Sequence, residues 1–147
     1  YGTPTLLMHG DSLCTDDTEY MTFRAKVRNP AWQKEFLGKH IAERDRIVHD
    51  FREISRNSTA AKKPEIMDVN QKAVESVMRE HHVQRLIHGH THRPKEHVFN
   101  LDGWPARRMV LGDWYEQGSL LSVDARGWRL EGLPLKPKNV GRVSADM

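Results

Sequence analysis

The stretch Leu86-Ile87-His88-Gly89-His90-Thr91-His92 reads as a short apolar strand running into a glycine and then two histidines two residues apart. The glycine is expected to let the backbone turn tightly, so that the imidazoles of His90 and His92 can converge on one point. Neutral imidazole nitrogen is the commonest protein ligand for first-row transition metals. Near the other end, Leu6-Leu7-Met8-His9-Gly10-Asp11 repeats the pattern of apolar strand, histidine, glycine and then a carboxylate. Two strand ends that each deliver His-Gly point to one metal site at the edge of a sheet.

The chain has 147 residues, 37% hydrophobic and 29% charged, which suits one domain with a core of its own. It starts at Tyr1 rather than Met and runs straight into a strand, the pattern of a fragment or processed product. No apolar run approaches the roughly 20 residues of a membrane span, and no basic-then-apolar signal peptide is visible. The single cysteine, Cys14, has no partner for an internal disulfide, which fits a reducing compartment, and it reads as a small buried filler.

The net charge of +3 is unevenly placed. Residues 24–63 carry eleven Lys/Arg against five Asp/Glu, whereas the remainder is net acidic. A local basic zone points to a local anionic partner: phosphate, a nucleotide or an anionic membrane surface. A nucleic-acid binder is disfavoured, because aromatic residues are sparse there and no known binding motif appears.

Thr5–Met8 is expected to be a buried strand. Residues 18–56 read as helical with one break at Asn29-Pro30, after which Leu37, Ile41, Val48 and Phe51 form an apolar stripe. Ser58–Pro64 reads as a polar loop. Asn70 is a fitting N-cap for an amphipathic helix through Ala73, Val74, Val77 and Met78. Strands are expected at 83–87, 98–101, 107–111, 119–123 and 128–130, separated by turn signals such as Asp102-Gly103 and Arg126-Gly127. Residues 136–147 read as a disordered tail. The predicted class is α/β with layered packing.

Among nine histidines, His40, His49, His81, His82 and His97 have no partner of metal-site type. His9, His90 and His92 stand out because strand ends deliver them. Asp11 could ligate, orient His9 or cap a turn, and the orienting role is favoured. A structural zinc site would prefer cysteines and four closed ligands, so an open imidazole set suits catalytic metal and hydrolysis at phosphorus. Neither Asp-x-His nor Gly-Asp-x-x-Asp occurs, so the chain holds only part of a two-metal site.

His9-Gly10-Asp11, Leu13-Cys14-Thr15-Asp16-Asp17, Ile66-Met67-Asp68-Val69-Asn70, Ile87–Pro94 and Val110-Leu111-Gly112 occur in an order and spacing that resemble the UDP-2,3-diacylglucosamine hydrolase family. These are calcineurin-like metallophosphoesterases of the lipid A pathway in Gram-negative bacteria. The resemblance implies an αββα sandwich with two Mn²⁺ ions and an inserted helical lid. It implies hydrolysis at the α-phosphorus of UDP-2,3-diacylglucosamine to 2,3-diacylglucosamine 1-phosphate (lipid X) and UMP. Residues 1–135 would be the C-terminal portion of that domain, with the lid at about 18–80.

By the same resemblance His9 and His90 serve one Mn²⁺ and His92 the other. Asp17, Ser55, Lys62 and His90 match substrate contacts, and Thr59 falls where relatives usually carry Asn. The family's Asp-x-His, the bridging Asp of Gly-Asp and the Asn of Gly-Asn-Arg-Asp would all lie upstream of Tyr1, so the isolated chain is expected to have little activity. The stripe of Phe36, Leu37, Ile41, Val48 and Phe51 could line an acyl groove. Arg44, Arg46, Arg52, Arg56, Lys62 and Lys63 could face phosphates or anionic head groups, each worth about 1 kcal/mol at a membrane surface. Trp104, Trp114 and Trp128 read as packing residues, and Trp32 as the one suited to a membrane interface. A monomer at the cytoplasmic face of the inner membrane is expected. The alternative is a phosphodiesterase of the same superfamily acting on nucleotides or soluble phosphoesters.

Overall fold

A computed structural model describes residues 2–115 and 117–135; the tail predicted at 136–147 lies outside them. The fold is mixed α/β. Its principal sheet has the order β1-β2-β4-β3, from β1 (Leu6–Met8), β2 (Arg85–His88), β3 (Lys95–Leu101) and β4 (Trp104–Val110). A separate antiparallel pair joins β5 (Gln117–Asp124) to β6 (Gly127–Pro134).

Both β1 and β4 run parallel to β2, with Met8 opposite His88 and His88 opposite Val110. All three strands therefore end at one edge of the sheet, where α/β folds commonly place their ligands. The hairpin between β3 and β4 turns on Asp102 and Gly103, both at positive φ (53° and 88°). This is the backbone a two-residue Asp-Gly turn requires.

The core lies between this sheet and helix α4 (Gln71–Glu80). Val74 and Met78, four apart on one face, are fully buried with Leu13, Leu86, Leu101 and Ala106. Asn70 caps α4 as predicted, accepting from Ala73 N at 3.2 Å. Its own amide donates to both Asp16 carboxylate oxygens.

The stretch 30–64 differs from expectation. Besides the break at Asn29-Pro30, a second one at Lys39-His40 separates α2 (Pro30–Gly38) from α3 (Ile41–Ala61). The polar segment 58–64 is largely helix, because α3 runs on to Ala61: Ser, Thr and Ala there tolerate helical backbone once its end is pinned by tertiary contacts. No residue of α1 (Thr18–Val27), α2 or α3 is fully buried. Within the stretch 18–80, α4 alone has fully buried side chains in the core.

The apolar stripe of α2 and α3 divides. Phe36 stacks on Trp32 with ring centroids 5.0 Å apart, and Phe51 meets Phe23 edge-on at 5.1 Å. Leu37 and Ile41 are exposed. An open cleft of about 470 Å³ is lined by Trp32, Phe36, Ile47, Phe51 and Ile54, with Lys26, Lys39, Glu35 and Asp50 beside it. Trp104 and Trp114, expected in packing roles, are largely exposed.

Cys14 is buried, as its reading as a filler requires, and its Sγ faces the Met67 carbonyl at 3.7 Å. Burial, reinforced by the charges of Asp68, Asp17 and Asp11, pushes its thiol up to about 11. At pH 8 only about one molecule in a thousand would carry the thiolate. Alkylation by iodoacetamide at pH 8 is expected to be slow in the folded protein and to become fast in denaturant. Equal rates in the two states, followed by mass spectrometry, would contradict this burial.

Candidate metal centre

The end of β1 and the end of β2 bring His9 and His90 together. His9 Nε2 lies 3.2 Å from His90 Nδ1, and the rings meet edge-to-face with centroids 4.9 Å apart. Two nitrogens each about 2.1 Å from one cation, at ligand angles near 90–110°, lie about 3.0–3.4 Å apart. The observed separation fits a pair of neighbouring ligands on one ion. Burial, and then the neighbouring His9, hold His90 below the ordinary imidazole value. It is therefore uncharged at neutral pH, the form that can ligate.

His92 does not join this pair. Its Nδ1 stands 3.5 Å from Asp113 Oδ2, and its ring meets Tyr115 at 5.9 Å. Asp113 follows β4, whose parallel course brings it to the same sheet edge. Among the described residues no three His, Cys, Asp or Glu side chains gather around one point that could hold a metal. The three predicted imidazoles thus form one converging pair and one separate histidine beside a carboxylate.

Gly89 does not supply the turn expected of it. It has no left-handed φ, and a side chain there would meet only ordinary contacts. The left-handed residues are His90 (φ 68°) and His92 (φ 54°), with Gly10 (φ 100°) on the other arm. The Gly89 N–H donates to the His9 carbonyl at 3.0 Å and ties the two arms together.

Asp11, expected to orient His9, pairs instead with α1. Its Oδ2 accepts from Arg24 Nε at 2.6 Å and lies 3.6 Å from Arg28 Nη2. Burial opposes the Asp11 charge, yet the Arg24 hydrogen bond and guanidinium keep the carboxyl below its usual range. Tyr20, one turn before Arg24 on α1, sets its ring 5.1 Å from that of His90. Sequence reasoning missed Tyr20, Arg24 and Asp113. Only the i,i+4 spacing of Tyr20 and Arg24 hinted at a shared helix face.

The residues matched to substrate contacts split in two. Asp17 is buried at the N-cap of α1, where it accepts from Tyr20 N at 3.0 Å. Lys62, at the end of α3, donates to Asp17 at 2.6 Å and lies 3.0 Å from Glu19. Burial opposes the ammonium, but these two carboxylates hold the Lys62 value above normal. Ser55 and Thr59 share a helical face with Lys62 and are exposed. Ser58 between them donates to Glu19 at 2.9 Å. The end of α3 is thus pinned on the start of α1, a few residues from Tyr20.

No protein-family profile matches the chain. It is 50% identical over 135 residues to a UDP-2,3-diacylglucosamine hydrolase of Pseudomonas aeruginosa (strain UCBPP-PA14), covering 92% of this chain and 56% of that protein. A protein of the same name from Enterobacter sp. (strain 638) is 48% identical over 134 residues, 91% of this chain and 56% of its own. One from Klebsiella pneumoniae subsp. pneumoniae is 50% identical over 123 residues, 84% of this chain and 51% of its own. The chain spans about half the length of the curated relatives it matches. Over the residues it spans, it is thus a sequence relative of the UDP-2,3-diacylglucosamine hydrolases, at 48–50% identity.

Proposed function

We propose that this chain is part of a metal-dependent hydrolase that cleaves the pyrophosphate of UDP-2,3-diacylglucosamine, releasing UMP and 2,3-diacylglucosamine 1-phosphate (lipid X) in lipid A biosynthesis. The fold would be the αββα sandwich of the calcineurin-like metallophosphoesterases, with this chain supplying a C-terminal part and α1–α3 a lid. The observation that carries the reading is the meeting of His9 and His90 at ligand-sharing distance, within a segment half identical to proteins of that name.

The metal would be Mn²⁺, as the family resemblance implies, with two ions in the complete enzyme. His9 and His90 would hold one and His92 would serve the other, close to Asp113. Bound cations would supply Lewis acidity for the pyrophosphate oxygens. The chain's own groups bind and orient. Lys62 would turn its ammonium from Asp17 to a phosphate or sugar oxygen, with Asp17, Ser55 and Thr59 as further polar contacts. Tyr20 packs its ring beside that of His90. The cleft of Trp32, Phe36 and Phe51, rimmed by Lys26 and Lys39 and by Glu35 and Asp50, offers apolar surface for a lipid-like partner.

No helix among the described residues is long and apolar enough to cross a membrane. Peripheral attachment of a monomer to the cytoplasmic face of the inner membrane is the proposed location. The 147-residue chain alone is expected to turn over little, since it carries only part of the ligand set.

The test is UMP release from UDP-2,3-diacylglucosamine by the intact protein with Mn²⁺. Release is expected to stop on chelation, to return with Mn²⁺ and to be lost in His90→Ala. Faster hydrolysis of soluble nucleotide diesters than of the acylated substrate would favour the alternative phosphodiesterase. Chelator-insensitive release would remove the metal from the mechanism.

A further inference from the structure

His88 ends β2, two residues before His90, and is 1% exposed. Its Nε2 lies 3.1 Å from Arg108 Nη1 and its Nδ1 lies 2.9 Å from the Gly89 carbonyl. A guanidinium only donates, so Nε2 accepts, the ring hydrogen sits on Nδ1, and Nδ1 donates to the Gly89 oxygen. The imidazole thus links a buried arginine to the peptide plane that leads into His90. On its other flank the ring is covered by Gly10: a methyl group placed there would sit 2.7 Å from Nδ1. His88 therefore touches both arms of the site, next to His9 on one and next to His90 on the other.

That contact matters because both later histidines hold left-handed backbone. Residues with side chains persist in this strained region only where their surroundings over-determine the conformation. Arg108 is itself unusual. It is 5% exposed, its Nε has no hydrogen-bond partner, and among the described residues no carboxylate lies within ion-pair distance of it. Among the described residues its one side-chain hydrogen bond is to His88. Asp68, beyond ion-pair distance, is the carboxylate whose charge favours the guanidinium; a buried cation without a direct ion pair is costly to the fold, and the side-chain contact it makes here is to one ring.

We propose that His88 is a positioning residue for the metal centre. Oriented by Arg108, it fixes the Gly89 peptide and the Gly10 turn so that the His9 and His90 nitrogens meet on one cation. This role rests on the reading of His9 and His90 as ligands of a shared ion.

The test uses the metal-stripped intact protein, titrated with Mn²⁺ and followed by the electron paramagnetic resonance of free ion, with the thermal midpoint of each apo variant measured alongside. His88→Phe and Arg108→Met are expected to weaken Mn²⁺ binding 10- to 100-fold, the usual range for groups that orient metal ligands. In His88→Asn the amide nitrogen falls near the position of Nδ1 and keeps the bond to the Gly89 oxygen without the one from Arg108, so binding is expected to lie between that of the parent and that of His88→Phe. In His88→Gln the amide falls near Nε2, and binding is expected to be weak. A purely structural His88 would lower every midpoint and leave the affinity of the folded protein unchanged, and that result overturns the proposal. If His88→Phe does not fold, the contrast between Asn and Gln decides, and equal affinities for those two overturn it. A parent protein that binds no Mn²⁺ at all would defeat the shared-ion reading and this role with it. A separate ¹⁵N spectrum of the apo protein should show His88 protonated at Nδ1, and protonation at Nε2 would also overturn the assignment.

Discussion

Gly10→Ala is expected to lower the free energy of unfolding of the intact protein by about 3 kcal/mol and to disrupt the His9–His90 pair. Two costs add. The backbone at Gly10 has φ 100°, a region that side-chain-bearing residues rarely adopt, and forcing one there costs on the order of 1–3 kcal/mol. The new methyl would also lie 2.7 Å from His88 Nδ1 and 3.1 Å from its Cγ. That ring cannot swing aside, because it is buried and held at both nitrogens. Urea denaturation measures the first effect, and the Mn²⁺ titration described above measures the second. Gly103→Ala is the comparison, since Gly103 also has positive φ but nothing lies within 4 Å of the added carbon. It should show the backbone cost without the clash, and equal losses at the two positions would show that His88 does not crowd Gly10.

Leu86→Ala is expected to cost about 2–5 kcal/mol. Leu86 lies in β2 between β1 and β4, has no exposed surface, and packs in the cluster with Val74 and Met78 of α4. Deleting its side chain leaves a cavity where sheet and helix meet, two residues before His88. The neighbours are parts of regular elements and cannot collapse far into the space. A domain of this size has roughly 5–15 kcal/mol in total, so the loss would be a large share of its stability. Ile41→Ala, at an exposed position on α3, is expected within about 0.5 kcal/mol of the parent. Urea midpoints with an unchanged slope would check both values. A small effect at Leu86 would show that the contact between α4 and the sheet contributes little.

The strand readings around Leu6–Met8, residues 83–87 and the four later segments were legible because each is a short apolar or alternating run bounded by turn residues. The structure shifts their limits and keeps their order. The α4 helix was legible for the same kind of reason: Asn70 caps it and four apolar residues recur at helical spacing. The continuation of α3 through Ser58 to Ala61 was not, because polar residues carry little helical signal. What holds that end lies forty residues away, where Lys62 and Ser58 meet Asp17 and Glu19. The exposure of Leu37 and Ile41 escaped the stripe reading likewise: periodicity identifies an apolar face but not whether anything covers it.

His9, His90 and His92 could be chosen from the sequence alone because two strand ends carry His-Gly, a pattern local to each segment. Which of them meet could not be read there. Parallel pairing of β1 with β2 brings His9 against His90, and parallel pairing of β2 with β4 brings Asp113 beside His92. Register between strands about eighty residues apart is set by core packing, to which no short window of sequence has access. The same holds for His88, which in sequence is one more histidine in an apolar run. Only the fold buries it under Gly10 and against Arg108. The sequence by itself determined the elements and the chemical types available at the sheet edge, since both follow from local residue patterns. The tertiary structure alone decided which imidazoles share a cation and what holds them, because those depend on contacts between distant segments.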